Sequence, residues 1–159
     1  MIVCIDGPNF AGKSTIISKV KSKIKDLIII EDSQIYKTAQ CCGSFYNARI
    51  KLQQEYNLKT TTKNVLLCRW FPSMYVFDEV TNFSEFVKPN HTFVVLSSLN
   101  VLKQRQKLRD DFPVKMDLEL QIAKFKSAAQ FLNCRCVENN DENSLNDISN
   151  QIIDCFLGE

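Results

Sequence analysis

The sequence predicts an α/β fold, a three-layer sandwich with a parallel five-stranded sheet between helices. Three observations carry this. Short apolar runs rich in β-branched residues alternate along the chain with segments of helical period, the order produced by parallel β-α-β units with right-handed crossovers. The first run, residues 1–5, leads directly into Gly7-Pro-Asn-Phe-Ala-Gly-Lys-Ser, which fits the phosphate-binding pattern G-x-x-x-x-G-K-[ST] in its strand–loop–helix setting. Later strand-like runs end in charged residues, at the edge where open α/β sheets bind their ligands.

In order, residues 15–25 carry Ile16, Ile17, Val20 and Ile24, the spacing of a helix with one face on the sheet. Residues 27–30 are continuously apolar and predict a parallel strand buried on both faces; Glu31-Asp32-Ser33 follows at its C-terminal end. Residues 34–57 read as one long helical region with a break expected near Cys42-Gly43, because glycine is costly inside a helix. Residues 64–68 form the third strand and deliver Arg69-Trp70 to the same edge. A helix over 73–87 follows, Pro89-Asn90 stops it, and residues 91–97 form the fourth strand. Residues 101–109 are a basic helix, 110–116 an interruption containing Pro113, and 117–132 helix again. Residues 134–138 form the fifth strand, 139–146 contribute a polar loop, and 144–157 close the chain as an amphipathic helix.

At 159 residues and 45% hydrophobic content, the chain suits one domain with one sizeable core. Twenty basic and eighteen acidic residues, net +2, are too balanced to predict a nucleic-acid or membrane partner. No apolar run approaches membrane-spanning length, and a cleaved leader would remove part of the first strand. The expectation is a soluble, intracellular, cytoplasmic protein. Seven cysteines without a C-x-x-C pair, with a single histidine, argue against zinc and disulfides. Cys4, Cys68, Cys134 and Cys136 are expected as small buried hydrophobes.

In the loop, Gly7, Asn9, Ala11, Gly12, Lys13, Ser14 and Thr15 form the expected triphosphate cradle. Its glycines let backbone N–H groups turn inward at a helix N-terminus. Lys13 is expected on the terminal phosphates and Ser14 on Mg2+. A GTP-type base reader, N-K-x-D, is absent: Asn64 is preceded, not followed, by a lysine. The third strand ends in Cys68-Arg69, placing a cation rather than a metal ligand near the phosphates.

Four segments resemble the thymidylate kinases, within the wider group of P-loop nucleoside and nucleotide kinases. Asp6-Gly7 through Ser14-Thr15 is similar to the family's E/D-G-x-x-x-A-G-K-S-T. Phe45-Tyr46-Asn47-Ala48-Arg49 looks like its F-x-x-x-R, which implies that Phe45 stacks on the acceptor base and Arg49 hydrogen-bonds it; positions i and i+4 do share one helical face. Arg69-Trp70-Phe71-Pro72-Ser73 resembles D-R-Y-x-x-S, implying that Arg69 binds the acceptor phosphate, with Ser73 beside it. Arg105 to Arg109, followed by Asp117 and Glu119, resembles an arginine-bearing lid over roughly 100–117, whose Arg105 and Arg109 would neutralise charge on the transferring group.

The resemblance implies ATP and Mg2+ as cofactors, phosphoryl transfer to a nucleoside monophosphate such as thymidylate, and a homodimer as in many members. Three departures stand out. Cys68 replaces the family's aspartate, no arginine follows the second strand, and Asn9-Phe10 replaces charged loop residues. These departures keep two alternatives open. One is a nucleoside kinase in which Glu31 serves as base toward a 5′-hydroxyl. The other is a nucleotide-binding protein without catalysis.

Overall fold

The computed structural model describes residues 1–109 and 113–158. Five strands form one parallel sheet: β1 (Ile2–Asp6), β2 (Ile28–Ile30), β3 (Val65–Cys68), β4 (His91–Leu96) and β5 (Arg135–Glu138), in the order β2-β3-β1-β4-β5. Around them lie α1 (Lys13–Lys23), α2 (Asp32–Cys42), α3 (Phe45–Glu55), α4 (Phe71–Phe77), α5 (Leu99–Lys107), α6 (Leu118–Phe131) and α7 (Glu142–Leu157).

Alternation along the central strand builds the three layers, because successive side chains point to opposite faces. Val3 and Ile5 pack with Ile16, Ile17 and Val20 of α1 and with Ile148 and Ile152 of α7. Ile2 and Cys4 face the other way, onto Ile35 of α2, Ala48 and Leu52 of α3, and Trp70 and Met74. Val94 and Leu96 of β4 take Phe125 and Ala128 of α6 on a third cluster. The expected five-stranded sandwich is therefore observed.

The break expected near Cys42-Gly43 is observed: Gly43 adopts a left-handed conformation (φ 80) as the C-cap of α2, and Ser44 accepts the Asn47 N–H at 3.1 Å to start α3. Three other local expectations are corrected. The helix expected over 73–87 ends at Phe77. Glu79 is left-handed (φ 54) and the chain continues irregularly, with Trp70 Nε1 donating to Val87 O at 3.0 Å. β2 is an edge strand, so Ile28 and Ile29 are only half-buried. β5 is the opposite edge, so Cys136 is exposed and Cys134 half-buried rather than both in the core. All cysteines are free. Among the described residues, no helix is long and apolar enough to cross a membrane, and no cluster of His, Cys, Asp or Glu could hold a metal by itself.

Candidate active site

The C-terminal ends of β1, β2 and β3 open onto one cavity of about 1000 Å3, lined by Lys13, Ser14, Asp32, Tyr36, Arg69 and Arg105 among others. The loop between β1 and α1 forms its floor. Gly7 is there for steric reasons: with φ 140, an added Cβ would lie 2.1 Å from the backbone oxygen of Val95 in the neighbouring strand. Gly12 (φ 91) likewise leaves no room, since its Cβ would meet Asn139 Nδ2 at 2.3 Å.

Helix α1 has no side-chain N-cap, whereas Ser44, Ser98, Asp117 and Asp141 each accept an amide at the start of their own helices. Its first N–H groups are thus left to a ligand, and the end of the helix dipole favours an anion.

Two cations converge on one oxygen in this floor. Lys13 Nζ donates to Gly7 O at 2.9 Å and Pro8 O at 2.6 Å, and Arg69 Nη1 donates to the same Gly7 O at 3.0 Å. Burial, then the charge of Arg69, pulls the Lys13 ammonium down to about 7. Arg69 reaches further: Nη2 donates to Asn9 Oδ1 at 2.5 Å, Nε to Asp32 Oδ2 at 3.2 Å, and its Cζ lies 5.4 Å from the centre of the Phe77 ring. Desolvation opposes its charge, but Asp32 and Asp6 outweigh that and push its pKa up.

Asp6, fully buried, accepts from Gly7 N (2.8 Å), Ser73 N (2.9 Å) and Ser73 Oγ (2.6 Å). Burial raises its pKa against the pull of Arg69. Cys68 is buried and its thiol is pushed up to about 12, chiefly by desolvation. A neutral thiol is a poor Mg2+ ligand, since that ion takes oxygen. The Ser14 hydroxyl, exposed at the start of α1, and the Asp32 carboxylate line the same cavity and suit a hard cation; with the open amides of α1 they fit a Mg2+–triphosphate.

The structure brings Asn9, Gly12, Lys13, Ser14, Thr15, Glu31, Arg69, Arg105 and Arg109 to the cavity wall. Arg105 ties the loop down, donating to Phe10 O (3.0 Å), Ser97 Oγ (3.1 Å) and Asn139 O (3.1 Å). Residues 110–112 of the expected lid lie outside the described residues. Glu31 is exposed just ahead of α2, its N–H donating to Gln34 Oε1 at 2.9 Å. Three expected acceptor residues stand behind the wall. Ser73 is fully buried on Asp6, Arg49 is 4% exposed, and Phe45 packs edge-on against Tyr36 with centroids 5.1 Å apart. Tyr36, 46% exposed, is the aromatic side chain that lines the cavity there.

Asp6 and Asp32 were placed at this edge by the sequence but given no role, and Gln121 and Asn139 were not read from it as part of the site. Gln121 is fully buried, with Oε1 accepting Asn9 N–H at 2.9 Å and Nε2 donating to Met116 O at 2.8 Å. A lone glutamine in the apolar stripe Leu118, Gln121, Phe125, Ala128 was a usable signal, because a buried amide needs partners. Asn139 Nδ2 donates to Ala11 O at 2.8 Å.

Lys13 makes a pH prediction. Its ordinary pKa is 10.5 and its value in the free fold about 7, so between those values the folded chain carries fewer protons than the unfolded one, and stability rises with pH through that window. A phosphate bound beside Lys13 would favour its ammonium form. ATP binding at pH 8 is therefore expected to take up close to one proton, falling toward none at pH 6, as read from buffer-dependent heats in titration calorimetry. Equal uptake at both pH values would refute the depressed lysine.

No protein-family model and no curated protein sequence matches the chain. Solved structures do match along nearly its full length. The thymidylate kinase of Candida albicans superimposes with a TM-score of 0.62 at 17% identity, covering 99% of this chain and 91% of that one. The deoxyadenosine kinase of M. mycoides gives 0.58 at 14% (96% and 98%). The shikimate kinase of Acinetobacter baumannii gives 0.56 at 11% (99% and 93%). An all-parallel sheet with a phosphate-loop floor, matched over such lengths, has the fold of the P-loop kinases related to thymidylate kinase.

Proposed function

We propose that the chain is a nucleotide kinase that transfers the γ-phosphoryl group of ATP to a nucleoside monophosphate, with thymidylate as the acceptor. The observation that carries this reading is the meeting of Lys13 and Arg69 on Gly7 O. Two cations sharing one carbonyl oxygen form a place that an anionic group stabilises. Phosphate binding would draw Lys13 off Gly7 O and Pro8 O onto the terminal phosphates. The α1 amides would hold the rest of the chain of phosphates, and Arg69, a planar fork, would take the acceptor phosphate in a way lysine cannot. Ser14 would hold Mg2+, which when bound neutralises phosphate charge. Positioning and electrostatics are the whole of the protein's contribution: the acceptor phosphate oxygen bonds to Pγ as ADP leaves, and no covalent enzyme intermediate is required.

A second reading has its own observation. The α2 side of the cavity contributes Glu31 and Asp32 and no cation, and Asp32 is already paired with Arg69. Carboxylates beside an arginine suit a nucleoside hydroxyl, whose proton needs a base.

Steady-state transfer to thymidylate and to thymidine, in wild type and Glu31→Gln, separates the two. Under the leading reading thymidylate is used, thymidine is not, and the substitution does not remove activity. Preference for thymidine, with a loss of about 10²–10⁴-fold in the variant, would replace it with the second.

A further inference from the structure

Arg49 stands where the sequence pattern puts a substrate contact, yet its guanidinium faces the protein. Nε donates to the backbone oxygen of Arg69 at 2.9 Å, and Nη1 donates to Asp78 Oδ2 at 2.8 Å and to Phe45 O at 3.5 Å. It is 4% exposed and forms no part of the cavity lining.

The carbonyl it holds belongs to a residue in an unusual conformation. Arg69 has φ 62, a left-handed backbone that is strained in a non-glycine residue and persists only where its surroundings over-determine it. Arg69 N–H donates to Ile5 O at 3.2 Å and fixes one side of the turn. Arg49 fixes the other. Asp78, just past α4 and 19% exposed, supplies the charge that keeps a buried guanidinium in place; burial alone pulls its pKa down.

We propose that Arg49, anchored by Asp78, is a positioning residue: it fixes the Arg69 backbone so that the Arg69 guanidinium spans Gly7 O, Asn9 and Asp32, and it does not read the acceptor base. An arginine is needed because its rigid fork serves the Arg69 carbonyl and the Asp78 carboxylate at once, which a lysine's single ammonium on a flexible stem does poorly.

Two variants, Arg49→Lys and Asp78→Asn, test this by two readouts. The first is the Arg69 Nε–H resonance in 15N NMR of the free protein. It is expected to shift or broaden away in both variants while the resonances of β1 and β4 stay put. An unchanged Arg69 signal in both overturns the proposal, and this readout holds whether or not the protein is a kinase.

The second readout rests on the proposed function and uses its acceptor. Arg49→Lys is expected to lower kcat about 10²-fold, the scale of a 1 Å misplacement, and to add nothing further in an Arg69→Lys background. A higher acceptor KM at unchanged kcat, persisting in that background, is the signature of a base reader and also overturns the proposal. If no acceptor is phosphorylated, the functional reading falls and the NMR result decides alone.

Discussion

Arg69→Lys is expected to reduce phosphoryl transfer about 10²–10³-fold, the range for removing one preorganised donor from a transition state. The substitution keeps a positive charge near Asp6 and Asp32 but removes the fork that joins Gly7 O, Asn9 and Asp32. The fold should survive, because buried Asp6 is still satisfied by Gly7 N–H and by both donors of Ser73. Steady-state kinetics and a thermal melt check the two halves together. A variant within about threefold of wild-type kcat would remove Arg69 from the centre of the site.

Gly7→Ala should have the largest effect on stability. The added methyl meets the Val95 carbonyl at 2.1 Å, in a strand held between β1 and β5, and φ 140 lies outside what an L side chain adopts. Overpacking and backbone strain together cost about 3–5 kcal/mol, a large share of the about 5–15 kcal/mol of a typical domain. Gly43→Ala is the control. It is also left-handed, but nothing lies within 4 Å of its added methyl, so only the conformational cost of about 1–2 kcal/mol applies. Urea unfolding of both variants measures the difference. Equal midpoints would mean that the loop is not held against β4 in this way.

The parts of the fold legible in the sequence are those set by neighbours along the chain. The run before Gly7 and the G-K-S that follows fix β1, the loop and α1. The Gly43-Ser44 pair splits α2 from α3 because one residue supplies a left-handed C-cap and the next an N-cap. The errors came from strand order. Residues 27–30 and 134–138 read as buried strands, and nothing local shows that the topology puts them at the two edges. Residues 78–87 carry aromatics at a helix-like period, but Phe83 and Phe86 pack on the α3 side of the sheet instead, and the Trp70–Val87 hydrogen bond replaces helical pairing.

Within the site, Lys13 and Arg69 were legible from motif and strand end. Their supports were not: Gln121 meets Asn9 across 112 residues and Asn139 meets Ala11 across 128. Arg49 shows the limit most clearly. The i, i+4 spacing from Phe45 places both on α3, yet its partners are a carbonyl 20 residues on and a carboxylate 29 residues on.

In the proposed kinase the loop carrying Lys13 holds a phosphoryl donor opposite an acceptor bound at Arg69. 31P NMR of the protein with ATP, Mg2+ and thymidylate, beside Lys13→Ala, tests this arrangement. The γ-phosphate of ATP is expected to disappear as a new terminal phosphate grows on the acceptor, and Lys13→Ala to stop the transfer. ATP binding without any new acceptor phosphate would contradict it and leave a nucleotide-binding protein in place of a kinase, and transfer that survives loss of Lys13 would contradict the role of the loop lysine.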